Sequence, residues 1–97
     1  MINDNQPPSD AQTANLDPRR KRILFRCWHR GMKEMDLLLG GYVQTHVAIM
    51  ADEELDELEE LLQLNDQDLF SWFIGSKPVP EDRNTELFRR ILAFHNK

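Results

Sequence analysis

Between Met35 and Met50 the side chains Met35, Leu38, Leu39, Tyr42, Val43, His46, Val47 and Met50 recur at intervals of three and four. A period sustained over several turns specifies an amphipathic helix, so this stretch must form the central core element of whatever the chain builds. The spacing predicts a helix from about Met32 to about Met50. Gly40-Gly41 interrupts it, at a cost of up to ~1 kcal/mol per glycine relative to alanine. Because the stripe continues across the pair, one helix is expected, either bent there or packed close against a neighbour.

The flanking segments read as further helices. Asp17-Pro18 places an N-cap before a proline at the first helical position and starts a helix running to about His29, with Ile23, Leu24, Cys27 and Trp28 on its buried side. Asp52 is the expected N-cap of a third helix striped by Leu55, Leu58, Leu61 and Leu62, and the acids in its first turn suit the positive end of the helix dipole. Asn65 or Asp66 caps a short fourth helix with Leu69, Phe70, Trp72, Phe73 and Ile74, and Gly75 stops it. Ser76-Lys77-Pro78-Val79-Pro80 cannot continue a helix. A last helix, from about Glu81 or Asn84 to Phe94, turns Leu87, Phe88, Ile91 and Leu92 inward. No segment alternates with period two. The expected fold is all-α, a compact five-helix bundle in a single small domain.

A chain of 97 residues supports one domain, and a domain of this size buries only about two-thirds of the surface its unfolded chain exposes. Its apolar fraction of 40% beside 30% charged residues suits a soluble globular domain, and no apolar run has the length of a membrane span. Residues 1–16 hold Asp4, Asp10 and Pro7-Pro8 without a single Lys or Arg. They are expected to be a disordered tail before a domain over 17–97, and neither a signal peptide nor a transit peptide. The lone Cys27 and this tail place the chain in the bacterial cytoplasm as an expectation.

Charge is segregated along the chain. Residues 19–33 carry seven bases and no acid, whereas residues 52–68 carry nine acids and no base, giving one positive and one negative pole around a net charge of -5.

Little catalytic chemistry can be assembled. His29, His46 and His95 are scattered without Cys or carboxylates at ligand spacing, so no metal site is expected, and His46 on the core stripe reads as a satisfied buried histidine. Cys27 faces inward without a base and an orienting third group, which makes it an inert core thiol. No glycine-rich nucleotide loop follows a strand. The residues predict an interaction protein with no catalytic residues, no stably bound cofactor and no enzyme activity.

The conspicuous stretch is Arg30-Gly31-Met32-Lys33-Glu34-Met35-Asp36, where the basic segment meets the apolar stripe. On a helix Arg30 and Glu34 would share a face, while Gly31, lacking a Cβ, permits either a positive-φ turn or close approach of another backbone. A helix-helix turn with an ordinary solvated ion pair accounts for the same spacing. Further on, Asp68-Leu69-Phe70-Ser71-Trp72 puts large aromatics on a short helix whose apolar residues cover more than one face. Trp72 is either a partly exposed binding aromatic or a core tryptophan closing the bundle.

Together these two stretches resemble the SdhE (YgfY) family of succinate dehydrogenase flavin assembly factors, whose pattern is Arg-Gly-x-x-Glu-x-Asp followed some thirty residues later by Asp-Leu-Phe-x-Trp. The resemblance covers roughly residues 18 to 96. It implies a small helical factor that binds the flavoprotein subunit of succinate dehydrogenase, with fumarate reductase as a second candidate client, and promotes covalent attachment of FAD to that client. Arg30, Gly31, Glu34, Asp36, Phe70 and Trp72 would then form the partner-binding surface, on a factor that is a monomer when free, holds no FAD stably and does not insert into membranes. An alternative of a different class is a nucleic-acid-binding protein using the basic face from Arg19 to Arg30, against which the sequence pI of about 5.1 counts.

Overall fold

The computed structural model describes residues 13–95. Among them the chain forms five α-helices and no strand: α1 (Pro18–Trp28), α2 (Lys33–His46), α3 (Asp52–Leu62), α4 (Asp66–Phe73) and α5 (Glu86–His95). Short 3-10 turns at Val47–Ile49 and Glu81–Arg83 follow α2 and precede α5. The expected tail over residues 1–16 lies outside the described residues up to residue 12. Of the remainder, Leu16 packs partly buried against the core.

Local chemistry sets most helix ends. Asp17 accepts from the Arg20 backbone N–H at 3.2 Å and Pro18 follows it, as the sequence requires. Asn65 caps α4, taking the N–H groups of Gln67 and Asp68. At the other end of α4, Gly75 adopts φ 80, and the N–H groups of Gly75 and Ser76 return to the carbonyls of Trp72 and Ser71. That paired closure lets a glycine end a helix with its last carbonyls satisfied.

Three boundaries differ from expectation. α2 ends at His46, not near Met50, because the chain tightens there into the 3-10 turn Val47–Ile49. The N-cap of α3 is Ala51, not Asp52, and the Glu54 carboxylate folds back to accept from the Ala51 N–H at 3.2 Å, leaving Asp52 in the first helical turn. The last helix starts at Glu86, later than either expected start, because the Thr85 hydroxyl takes the Phe88 N–H while Glu81–Arg83 closes as a separate turn.

The core runs along α2. Met35, Leu39, Tyr42 and Val43 are buried there against Ile23, Leu24, Cys27 and Trp28 of α1, and α1 with α2 is the most extensive helix pairing. α3 contributes all four leucines of its stripe, and α5 contributes Leu87, Phe88 and Ile91. Phe73 stacks on Phe88 with ring centroids 4.5 Å apart, joining α4 to α5.

The glycine pair has the second of its two expected explanations. A Cβ built on Gly40 would lie 2.5 Å from Trp28 Cε2, so the buried indole lies directly on the α2 backbone. At Gly41 the nearest atom is His95 Cε1 at 3.7 Å, an ordinary contact. α2 continues as helix through both residues.

The charged poles are also rearranged by folding. Rather than opposing one another, they meet at the α1–α3 border, where Arg19 pairs with Asp56 and Glu59 at 2.5 Å each. Arg20 pairs with Asp17 and donates to the carbonyls of Val47 and Met50. On α5, Arg90 reaches Glu54 and Glu86.

The two glycines should separate sharply on substitution. Gly40→Ala forces the indole off the helix and is expected to lose about 1–3 kcal/mol despite better helix propensity. Gly41→Ala should be neutral or stabilise by up to ~1 kcal/mol. Urea denaturation of both variants, followed by far-UV circular dichroism, checks the contrast.

Candidate functional site

The Arg30-Gly31 junction is a loop, not part of a helix. α1 ends at Trp28, His29 leaves helical geometry at φ -132, Gly31 turns at φ 93, and Met32 is extended before α2 begins at Lys33. The expected common helix face of Arg30 and Glu34 is therefore absent. Two residues with extended or positive-φ backbone separate Arg30 from α2, and the ion-pair partner of Arg30 lies elsewhere.

That partner is Asp66. The Arg30 guanidinium, only 10% exposed, approaches Asp66 Oδ1 to 2.7 Å from one terminal nitrogen and to 2.8 Å from Nε. It also donates to the carbonyls of Leu62 and Leu64, which sit at and just beyond the C-terminal end of α3. The planar donor fork of an arginine suits this geometry, since it fills two carbonyls and a carboxylate at once. The carbonyls have no intrahelical partner at a helix end, so Arg30 serves as a C-terminal cap of α3 supplied by another part of the chain.

Asp36 completes the loop from the other side. Its Oδ1 accepts the Arg30 backbone N–H at 2.8 Å, while the Met32 carbonyl receives the N–H groups of Met35 and Asp36. The side chain of Arg30 is thus tied to the α3–α4 turn and its backbone to α2. Glu34 and Asp36 both stand in the first turn of α2, where the helix dipole favours negative charge.

Between these ties Gly31 is exposed, and the space its missing Cβ would occupy is open to 4 Å. The glycine is required by its left-handed backbone and not by any neighbour in this chain. Glu34 is exposed in the first turn of α2. The structure therefore presents Gly31 and Glu34 outward and turns Arg30 and Asp36 toward the protein.

Trp72 and Phe70 are both partly buried against the core. Trp72 lines a shallow cleft with Leu38, Phe73, Ile74, Leu92 and His95, so it is partly exposed while also packing on the core. His95 Nε2–H donates to the Leu38 carbonyl at 2.6 Å, which fixes the end of α5 against α2.

The other titratable groups have structural settings. Cys27 is fully buried, and burial pushes its thiol up to about 12, as an inert core cysteine requires. His46 is only partly buried; its Nδ1–H donates to the Tyr42 carbonyl at 2.8 Å and its ring stacks on Tyr42. Among the described residues no group of three His, Cys, Asp or Glu side chains could hold a metal ion.

Comparison with known proteins now bears on this loop. A family model described as the flavinator of succinate dehydrogenase matches residues 21–95, which include the whole Arg30-Gly31 junction and the α4 aromatics. The chain belongs to this family. It is similar to the FAD assembly factor SdhE of Acetobacter pasteurianus, at 41% identity over 80% of this chain and 72% of that protein. It is also similar to the mitochondrial succinate dehydrogenase assembly factor 2 of Candida glabrata, at 36% identity over 82% of this chain and 55% of that protein. The corresponding protein of Dictyostelium discoideum is 31% identical over 82% of this chain and 57% of its own length. The chain thus spans little more than half of these mitochondrial relatives. No solved structure matched it.

Sequence reasoning found every residue of the junction but missed Asp66 as its internal partner. The available signal was an aspartate immediately after an N-cap asparagine, which reads equally well as a first-turn acid.

Two outcomes test this geometry. Asp66→Ala strands a nearly buried guanidinium and should cost about 2–4 kcal/mol, while Asp66→Asn, which keeps an acceptor, should cost less. Glu34→Ala should stay within about 0.5 kcal/mol of wild type in the same denaturation experiment. Separately, Cys27 should resist a maleimide at neutral pH in the native protein and label readily in denaturant. Fast native labelling would contradict its burial.

Proposed function

We propose that this protein binds the flavoprotein subunit of succinate dehydrogenase and promotes the covalent attachment of FAD to it. The observation that carries this reading is the exposed, positive-φ Gly31 held between two internal ties, in a chain of the flavinator family. A bare backbone at a fixed height lets a partner approach more closely than any side chain would permit, and a loop already ordered loses little entropy on docking.

The residues then divide by task. Gly31 and Glu34 meet the client, Glu34 through charge-assisted hydrogen bonds; Arg30 and Asp36 hold the loop in the docking conformation; Trp72 and Phe70 extend the surface. The chemistry belongs to the flavin and its host subunit, while this chain, a monomer in the bacterial cytoplasm until it meets its client, holds histidine and flavin in a reactive geometry. FAD is the client's group in this reading, and fumarate reductase is a second client.

In-gel flavin fluorescence of the denatured flavoprotein subunit tests the proposal, because covalent flavin survives denaturation. The band should vanish in cells lacking this protein and return with wild type. Gly31→Arg should leave it absent. Any L side chain is strained at this φ, by about 1–3 kcal/mol, so Gly31→Asn serves as the control that tolerates the backbone with a short side chain and should restore part of the band. An unchanged band without the protein would refute the assignment.

A further inference from the structure

The outward face of α1 carries a feature that the loop does not need. Phe25 is 61% exposed, and its ring stacks on His29 with centroids 3.9 Å apart and planes inclined by 15°. His29 Nδ1–H donates to the Phe25 carbonyl at 2.7 Å, which locks the imidazole under the phenyl ring. The result is a pre-ordered aromatic plate facing solvent, with little rotamer freedom left to lose on binding.

The charges that flank the plate along α1 are basic. Lys21 and Phe25 on α1, and His29 just past its end, follow one another at intervals of four, and Arg22 and Arg26 lie beside them at the same interval. Folding has sorted the basic segment into two sets. Arg19, Arg20 and Arg30 pair with Asp56 and Glu59, Asp17, and Asp66 respectively. Lys21, Arg22, Arg26 and Lys33 form no ion pair with any described residue, and no acid occurs between residues 19 and 33.

We infer that this face, Phe25 and His29 flanked by Lys21, Arg22 and Arg26, is a second contact surface, fitted to an acidic patch of the flavoprotein subunit that has an apolar recess for the Phe25 ring. The inference rests on the docking reading given above and extends it. The plate ends one residue before Arg30-Gly31, so a client covering Gly31 meets it without a gap. Exposed aromatics flanked by unpaired bases match the composition of interface centres, where aromatic residues and arginine dominate binding. A protein patch fits better than a nucleic acid, because the face centres on an exposed aromatic pair continuous with Gly31, and three of the seven bases between residues 19 and 33 are already held in internal ion pairs and are not free for phosphate contacts.

The test measures binding of the purified flavoprotein subunit, free of covalent flavin, to wild type, Phe25→Ala, Arg22→Glu/Arg26→Glu and Gly31→Arg. All three α1 positions project from the core, and circular dichroism checks that the variants fold. Phe25→Ala should weaken Kd roughly tenfold or more. The double charge reversal should slow association at about 50 mM salt, with the difference shrinking at about 300 mM. Wild-type affinity in both α1 variants, alongside loss of binding in Gly31→Arg, would remove this face and leave the Gly31 docking reading intact. A wild type that does not bind the subunit at all would remove both. A labelled DNA duplex that binds wild type but not the double variant, with subunit binding unchanged, would overturn the inference in favour of phosphate recognition.

Discussion

The structure depends on one arginine whose side chain is largely withdrawn from water. Arg30 comes from the loop between α1 and α2, yet its hydrogen bonds are made with the end of α3 and the start of α4. A buried guanidinium is tolerable only when its donors are filled and its charge is opposed, and here Asp66 and two carbonyls do both. The same contacts satisfy carbonyls at the end of α3 that a tight α3–α4 turn would otherwise leave without partners. One side chain therefore closes a helix end, neutralises a carboxylate and fixes a distant loop.

What the loop gains is a defined backbone. Gly31 needs its positive φ to let the chain turn from α1 into α2, and Asp36 clamps the preceding N–H. A loop with such ties at only one end could fray; with ties to α2 and to the α3–α4 turn it behaves as part of the bundle. Gly31 and Glu34 are thus exposed on a rigid support, in a chain of the flavinator family. The internal hydrogen bonds of Arg30 and Asp36 give these two residues a reason to accompany the glycine that does not require them to touch a client.

Electrostatics follow the same logic of internal use and external remainder. In the linear chain the bases and acids look like opposite poles. In the fold they are neighbours, because α1 packs beside α3 and Arg19 bridges the border. Pairs this exposed contribute little stability, so their main effect is to set which charges remain for the surface. The remainder, among the described residues, is a set of bases on α1 without ion pairs, beside an ordered aromatic pair.

Much of the molecule was legible in the sequence, for local physical reasons. The three-and-four spacing of α2, the Asp17-Pro18 start, the Asn65 cap and the Gly75 stop depend on side chains and backbone within a few residues of one another, and each was readable without knowing the fold. The motif residues of the junction were readable as a pattern. Their division of labour was not, since whether Arg30 faces a client or Asp66 depends on contacts across 36 positions of chain. The displacement of the α3 cap to Ala51, the seat of Trp28 on Gly40 and the pairing of the two charged poles were likewise decided only by packing. Periodicity determines that a helix buries one face; only the tertiary structure decides which neighbour that face meets, and so which polar groups are spent inside and which are left to act outside.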